Sequence, residues 1–452
     1  MRMQKLLLLT ATIGAATLTL AATKPPAATG TRAPGAPTWS RDVASIVYKN
    51  CTPCHRKGEA GPFPLESYAD AKRMARMMAV VTKERLMPPW KPVDGHGDFR
   101  DERSLTDAEI RILNRWAAAD APSGDLKTAP PLPRFKTGWQ LGTPDMVLEM
   151  PAAFPIPAEG RDVYQSFVFP LGFPKDRYLR GIEVRPGNRR VAHHAVGVLD
   201  TSGTARKLDA KSPEQGYASM GGSGFLPAGL TPGYVPGQTP RFFDDGSPLT
   251  LSKKADFVLQ MHYHPSGKPE TDRTVVGLYF TDKKPVKNPT GILLASEEID
   301  IPAGASGYTV SDKFVLPTAL AVHSVWAHMH MVGKKVRVWA ELPGGGGTEK
   351  MLLINDWDFN WQDTYGYRKP IRLPKGTILH SEWVFDNTAA NPRNPNSPPK
   401  RVRLGENSTD EMTGLWVGGL ADDGWGELSL LGANIGHYFE ITGKGKPFRE
   451  AR

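Results

Sequence analysis

Cysteine is nearly missing from this chain of 452 residues: there are two, Cys51 and Cys54. A protein of this length with a single Cys pair has no disulfide framework, so burial alone must hold its fold together. Beyond the N-terminus no apolar run is long enough to cross a bilayer, which excludes a membrane span in the mature chain. Although the formal net charge is +9, no Lys/Arg block interleaved with aromatics occurs, and scattered basic residues do not make a nucleic-acid footprint. They leave two roles, solubility or attraction of an acidic redox partner. Long helical patterns are scarce as well, and 46 Gly with 41 Pro favour many turns and short strands.

The N-terminus is the one strongly apolar stretch. MRMQK is a short basic region, Leu6 to Ala22 is apolar, and Ala21 and Ala22 offer a small-residue cleavage site. This pattern predicts a secretory signal peptide over residues 1–22, too short and too rich in Thr and Gly for an anchor. The mature protein is then periplasmic or secreted, with a Pro/Ala-rich linker over 23–38. Losing Arg2 and Lys5 lowers the formal charge by two.

Both cysteines fall in NCTPCHRKG. Cys-x-x-Cys-His is the pattern of covalent haem c attachment: Cys51 and Cys54 form thioethers with the haem vinyl groups and His55 becomes the proximal iron ligand. A thioredoxin-like redox pair is the alternative, but it needs no following His and sits in a strand-to-helix setting. Around the motif, Val43, Ile46 and Val47 share one helical face, Tyr68 to Arg85 reads as a second helix, and Thr106 with Glu109 forms a capping box before Ile110, Leu113 and Trp116. Three helices with the haem after the first resemble a small class I cytochrome c domain, expected over 39–125. For the distal ligand, Met87 in RLMPPWKP is presented by a loop that two prolines keep out of helix, and His96 in a Gly-rich loop is the alternative. Met74, Met77 and Met78 lie inside the helical pattern as packing residues. Residues 126–137 read as a Pro-rich linker.

Nine histidines follow that linker, and six of them lie in three short motifs: VAHHAVGV (His193, His194), VLQMHYHPSG (His262, His264) and VWAHMHMVGK (His328, His330). Imidazole and thioether without thiolate point to copper over structural zinc. On a strand, residues two apart leave the same face, so His328 and His330 could reach one ion while Met329 and Met331 point to the core. His193 and His194 are neighbours, which a regular strand turns to opposite faces. His323, His380 and His437 have no motif around them and read as satisfied polar or core residues. INDWDFNWQDTYGY alternates Trp357, Phe359 and Trp361 as a core strand would, or contributes to a substrate pocket.

With STDEMTGLWV added, these motifs run in the same order as in the copper type II, ascorbate-dependent monooxygenases, the family of dopamine β-hydroxylase and peptidylglycine α-hydroxylating monooxygenase, which the chain resembles from about Gly138 to Gly443. The resemblance implies two antiparallel β-sandwich domains of jelly-roll type, over 138–285 and 286–443, with a tail over 444–452. The whole fold class is then multidomain, a small all-α cytochrome c domain followed by two sandwiches. It also implies two copper ions facing each other across a solvent-filled cleft. His193, His194 and His262 match the ligands of the electron-accepting copper, with His264 as a competing third ligand. His328, His330 and Met412 match those of the oxygen-binding copper and are the catalytic set. The implied activity is hydroxylation of a C–H bond of a small organic substrate with O2, electrons arriving from a periplasmic donor or an ascorbate-like reductant through haem c. The peptidylglycine enzymes place an arginine where this chain has Trp326 and a tyrosine where it has Trp416. Amidation of peptides is therefore not expected, and the pocket is more apolar. Two rivals remain: a non-catalytic haem/copper electron-transfer or copper-handling protein, and an oxidase that reduces O2 without hydroxylating.

Overall fold

The structure is a computed structural model that describes residues 35–59, 61–219, 222–225, 227–236, 238–243, 247–405 and 407–442. The expected signal peptide, nearly all of the 23–38 linker and the 444–452 tail lie outside these residues.

Helix opens the described chain. One π-helical turn, Trp39–Val43, runs into α1 (Ala44–Asn50), which ends where the Cys-x-x-Cys-His motif begins. Helix α2 (Tyr68–Lys83) is capped by Ser67 and stops two residues short of the predicted end, because Arg85 turns into the left-handed region at φ 53°. Helix α3 (Asp107–Ala118) carries the expected capping box, with Thr106 accepting from the Glu109 N–H and the Glu109 carboxylate accepting from the Thr106 N–H. Val43, Val47, Leu113 and Trp116 are almost fully buried and meet Trp39 and Leu65 in a small apolar cluster.

Strands follow. They are β1 (Met146–Glu149), β2 (Phe154–Ile156), β3 (Val163–Pro170), β4 (Arg177–Arg185), β5 (Ala192–Asp200), then helix α4 (Thr204–Asp209), then β6 (Tyr217–Ala218), β7 (Gly229–Tyr234), β8 (Leu249–Leu251), β9 (Asp256–Tyr263), β10 (Glu270–Asp272) and β11 (Val275–Thr281). The second run is β12 (Pro289–Leu294), β13 (Asp300–Ile301), β14 (Ser306–Val315), β15 (Leu320–His328), β16 (Gly333–Glu341), β17 (Thr348–Ile354), β18 (Thr364–Leu373), β19 (Ile378–Asp386), β20 (Val402–Arg403) and β21 (Gly414–Ala421), closed by helix α5 (Gly424–Ile441). They pair into four small sheets, ordered β1-β11-β4-β8, β6-β3-β9-β5-β7, β12-β21-β15-β18 and β14-β19-β16-β17, with two-stranded ribbons β10-β2 and β13-β20. Alternating burial along β19, with Leu379, Ser381, Trp383 and Phe385 inward, is the period-two pattern of a strand with one face in a core.

The expected multidomain architecture, an all-α cytochrome c domain followed by two jelly-roll-like sandwich domains, is not met. The molecule is mostly β, at 35% strand and 18% helix, with four small sheets and only a short N-terminal helical region. Pro37–Arg452 is one compact unit. The physical reason lies in residues 90–103, which a self-contained helical domain would keep for its own core. Here Pro92 bridges Ile354 and Phe99 bridges Tyr367. Phe99 stacks on Tyr367 at 5.0 Å and Trp90 stands edge-on to Tyr365 at 5.5 Å, so the largest apolar side chains of this stretch are buried against the C-terminal sheets. The expected 126–137 linker has one short 3-10 turn, Leu126–Thr128, and places Phe135 beneath the Arg56 guanidinium.

Among the described residues no helix is long and apolar enough to cross a membrane.

Candidate metal centre

Neighbouring histidines can face one ion only if the strand between them is irregular, and β5 is. Its pairing with β9 slips between Ala192, opposite Tyr263, and His194, opposite His262, leaving His193 as the extra residue of a bulge. The bulge turns both imidazoles toward His262. His193 Nδ1 lies 3.1 Å from His194 Nδ1, which lies 3.3 Å from His262 Nδ1, and the three residues offer ligand atoms within 4.8 Å of one another.

The choice between His262 and His264 is made by Asp162. One carboxylate oxygen binds His262 Nε2 at 2.9 Å and the other binds His264 Nδ1 at 2.7 Å. His262 is thereby fixed with Nδ1 toward the cluster, its ring stacked on Tyr164 at 4.2 Å, whereas the His264 side chain is 66% exposed.

The three nitrogens form a hydrogen-bonding conflict that a cation resolves. If His262 gives its Nε2 proton to Asp162, its Nδ1 is an acceptor, and the single proton that His194 Nδ1 can carry serves only one of its two neighbours. His193 Nε2 is in addition buried without a partner. Burial, with repulsion from the neighbouring imidazoles, lowers His193 to about 3 and holds His194 well below the usual imidazole range. Neutral imidazole is the form that ligates.

The second set forms at the end of β15. His328 is the last strand residue, opposite Gly414 of β21, and His330 lies just beyond the strand, so the two do not share one regular face as the spacing suggested. Beyond that last pair the ladder stops, and His330 is tied to the Met412 segment through Glu411, whose carboxylate takes both backbone N–H groups. The rings of His328 and His330 stand edge-on with centroids 5.0 Å apart. His328 Nδ1–H donates to Gln362 Oε1 at 2.5 Å and His330 Nδ1–H to the Asp410 carbonyl at 3.3 Å. Each therefore has Nε2 to offer to a metal. Burial takes His328 to about 4 and His330 to about 3. Met329 is fully buried in the core, and Met331 is half-buried.

Glu411 ties Met412 to the histidine loop. One of its carboxylate oxygens accepts the His330 N–H and, at 2.9 Å, the Met412 N–H. Burial pushes this carboxyl up to about 8 although backbone N–H groups of Met412, His330, Val332 and Gly333 favour its charge.

Cys51, Cys54 and His55 are brought together where α1 ends, with the Cys51 carbonyl accepting the His55 N–H at 2.9 Å. Both thiols are free. Burial pushes Cys51 up to about 12 and raises Cys54, the reverse of the depressed pKa that activates a redox thiol. His55 Nδ1–H donates to the Phe63 carbonyl at 3.1 Å, leaving Nε2 to offer. A Cβ at Gly61 would come within 2.7 Å of His55 Nδ1 and 2.8 Å of the Cys54 carbonyl. Met87 lies beyond α2, half-buried, with its N–H on the Val81 carbonyl. His96 lies near Lys350 of β17 and Arg337 of β16, so its loop belongs to the C-terminal sheets.

The histidines without motifs are held by carboxylates in two cases. His380 meets Glu341 at 3.3 Å and stacks on Trp339, and His437 meets Asp312 at 2.8 Å. Trp326 and Trp416 face each other across β15 and β21 with rings 4.4 Å apart, 6.0 Å from Trp326 to the His328 ring.

The sequence pattern did not single out Asp162, Gln362 or Glu411, since a lone polar residue in a loop carries no spacing signal. Phe359 read as part of an alternating strand, but residues 355–363 form a loop between β17 and β18. There Phe359 stacks on His193 at 4.8 Å and meets His330 edge-on at 5.7 Å, with His262 at 6.4 Å. The two histidine sets thus converge on one ring.

No protein-family model matches this chain, and no curated protein matches it. Among solved structures, a structure of PNGF-II is similar over 60% of this chain at 10% identity and a TM-score of 0.20; the chain spans 60% of that one's length. VP54 of PBCV-1, fitted into a reconstruction of the virophage Sputnik, is similar over 63% of this chain and 96% of its own, at 8% identity and a TM-score of 0.20. The Gt strain of infectious bursal disease virus follows over 61% of this chain and 71% of its own, at 10% identity and 0.16. Likenesses this faint carry no functional argument.

Proposed function

We propose that this protein is an exported copper- and haem-containing monooxygenase of the kind its histidine motifs resemble, hydroxylating a C–H bond of a small organic substrate with O2. The observation that carries the reading is the meeting of two different neutral-imidazole sets at one place: His193, His194 and His262 through Nδ1, and His328 with His330 through Nε2, with the Met412 and His330 backbones sharing the Glu411 carboxylate. With copper bound, three imidazoles support one-electron cycling, and two imidazoles with a thioether favour Cu(I), the state that takes up O2. Cys51 and Cys54 would hold a haem through thioether bonds, with His55 and Met87 as the side chains offered to its iron, and the haem would supply electrons.

The chain's own residues prepare both sets. Asp162 orients His262, Gln362 orients His328, and the Asp410 carbonyl orients His330, each by holding the ring nitrogen that faces away from the ion. Glu411 keeps Met412 beside His330. Trp326 and Trp416 stand near His328 as an apolar wall, which suits a substrate without a carboxylate to be clamped.

Metal analysis with an optical spectrum, on protein matured with haem and loaded with copper, tests the reading. Two coppers per haem are expected, one of them lost on His328→Ala, followed by O2 uptake matched to hydroxylated product in a substrate screen. Haem without stoichiometric copper would overturn it. One observation favours a second reading, a non-catalytic haem/copper electron-transfer or copper-handling protein: His262 is fully buried and His330 is 3% exposed. A surface cavity of about 470 Å³ is lined by Asp98, Lys350, Tyr367 and Lys369 and by none of these histidines. Two coppers without product from any C–H substrate would decide for it.

A further inference from the structure

The Phe359 ring lies against both histidine sets. Its ring lies flat against His193 at an interplanar angle of 22° and receives His330 at 80°. Because the centroids of His193 and His330 are 4.8 Å and 5.7 Å from that of Phe359, these two imidazoles cannot be farther apart than those distances laid end to end. Phe359 itself is 7% exposed.

The loop that carries Phe359 is held from both sides. Asp358 accepts the Asn360 N–H at 3.0 Å, and the Gln362 amide donates to the Phe359 carbonyl at 2.8 Å while its other end takes the His328 proton. Trp326 Nε1–H donates to the Gln362 carbonyl at 3.1 Å. Two residues of one loop, Gln362 and Phe359, thus position His328, pack His193 and face His330.

We propose that the two histidine sets face each other across one aromatic ring, with Phe359 as the partition, so that two metal ions bound there sense each other directly. The inference rests on the copper reading above. With a metal ion held at each set, an electron passing from the three-histidine set to the other would cross a single phenyl ring, with no domain movement.

Electron paramagnetic resonance of the holoprotein with both sets loaded as Cu(II) reads this without turnover. The reference is the summed spectrum of His194→Ala and His328→Ala, each loaded with its one remaining copper and carrying the same haem. The expected result is a dipolar-broadened spectrum with a half-field transition that neither single-set protein shows. Phe359→Leu, which keeps an apolar side chain and so the fold, is expected to change the copper parameters of both sets together. Two coppers per chain whose spectrum equals the reference sum would overturn the inference and leave the copper reading standing. A spectral change confined to one set in Phe359→Leu would overturn the shared-partition role. A protein that takes up no stoichiometric copper refutes the functional reading, and this inference with it.

Discussion

Asp162→Asn is expected to weaken copper binding at the three-histidine set and to leave the other set as it was. The carboxylate holds His262 Nε2 at 2.9 Å with its own side chain only 10% exposed, and a hydrogen bond to a charged group contributes about 1.5–3 kcal/mol. Its second bond, to His264, adds little, because that side chain is 66% exposed and solvent competes for it. Asn keeps the shape and loses the charge, so His262 can rotate and its Nδ1 no longer faces His194 by necessity. Loss of an outer-shell partner of a ligating histidine costs about 10- to 100-fold in metal affinity. A stepwise competition titration against a copper chelator, with His194→Ala and His328→Ala to assign the steps, should show a shift of that size in one step only. Unchanged affinity, or equal weakening of both steps, would refute the role assigned to Asp162.

Three other perturbations have definite outcomes. Glu411→Ala leaves the His330 and Met412 N–H groups buried without an acceptor, at about 1–3 kcal/mol each, and should lower the melting temperature and release the second copper, while Glu411→Gln, which keeps an acceptor oxygen, should retain both. Gly61→Ala places a Cβ 2.7 Å from His55 Nδ1; the ring must tilt off the Phe63 carbonyl, and the haem spectrum of matured protein should lose its native axial signature. The metal-free protein should lose stability as pH falls below 6.5. His193, His328 and His330 are depressed to about 3, 4 and 3 in the folded chain, so the unfolded chain takes up protons first. At about 1.4 kcal/mol per pKa unit the drop by pH 4 should reach several kcal/mol in denaturant titrations, and a flat profile would contradict the burial of these rings.

Local chemistry was readable along the chain. The capping box at Thr106 and Glu109 and the buried faces of α1 and α3 follow from spacing, because a helix turns the same residues inward wherever it is placed. The end of β15 at His328 was not readable: alternation continues to Met331, but the chain leaves the sheet to bring His330 beside Met412 and the Glu411 carboxylate. Nor was the loop at residues 355–363, whose Trp and Phe spacing imitates a strand although Gln362 and Phe359 serve the histidines.

Residue identity and spacing pointed to which groups could meet a metal, imidazoles in pairs and a Cys-x-x-Cys-His with no other thiol to compete, and the resemblance added a late methionine. Tertiary structure decided how they meet. A one-residue bulge in β5 gathered two adjacent histidines, a single carboxylate separated His262 from His264, and one phenylalanine from a distant loop joined the two sets. The same long-range packing drew residues 90–103 out of any separate helical domain onto the C-terminal sheets. Each of these depends on pairing register and burial between segments far apart in the chain, which local spacing does not encode.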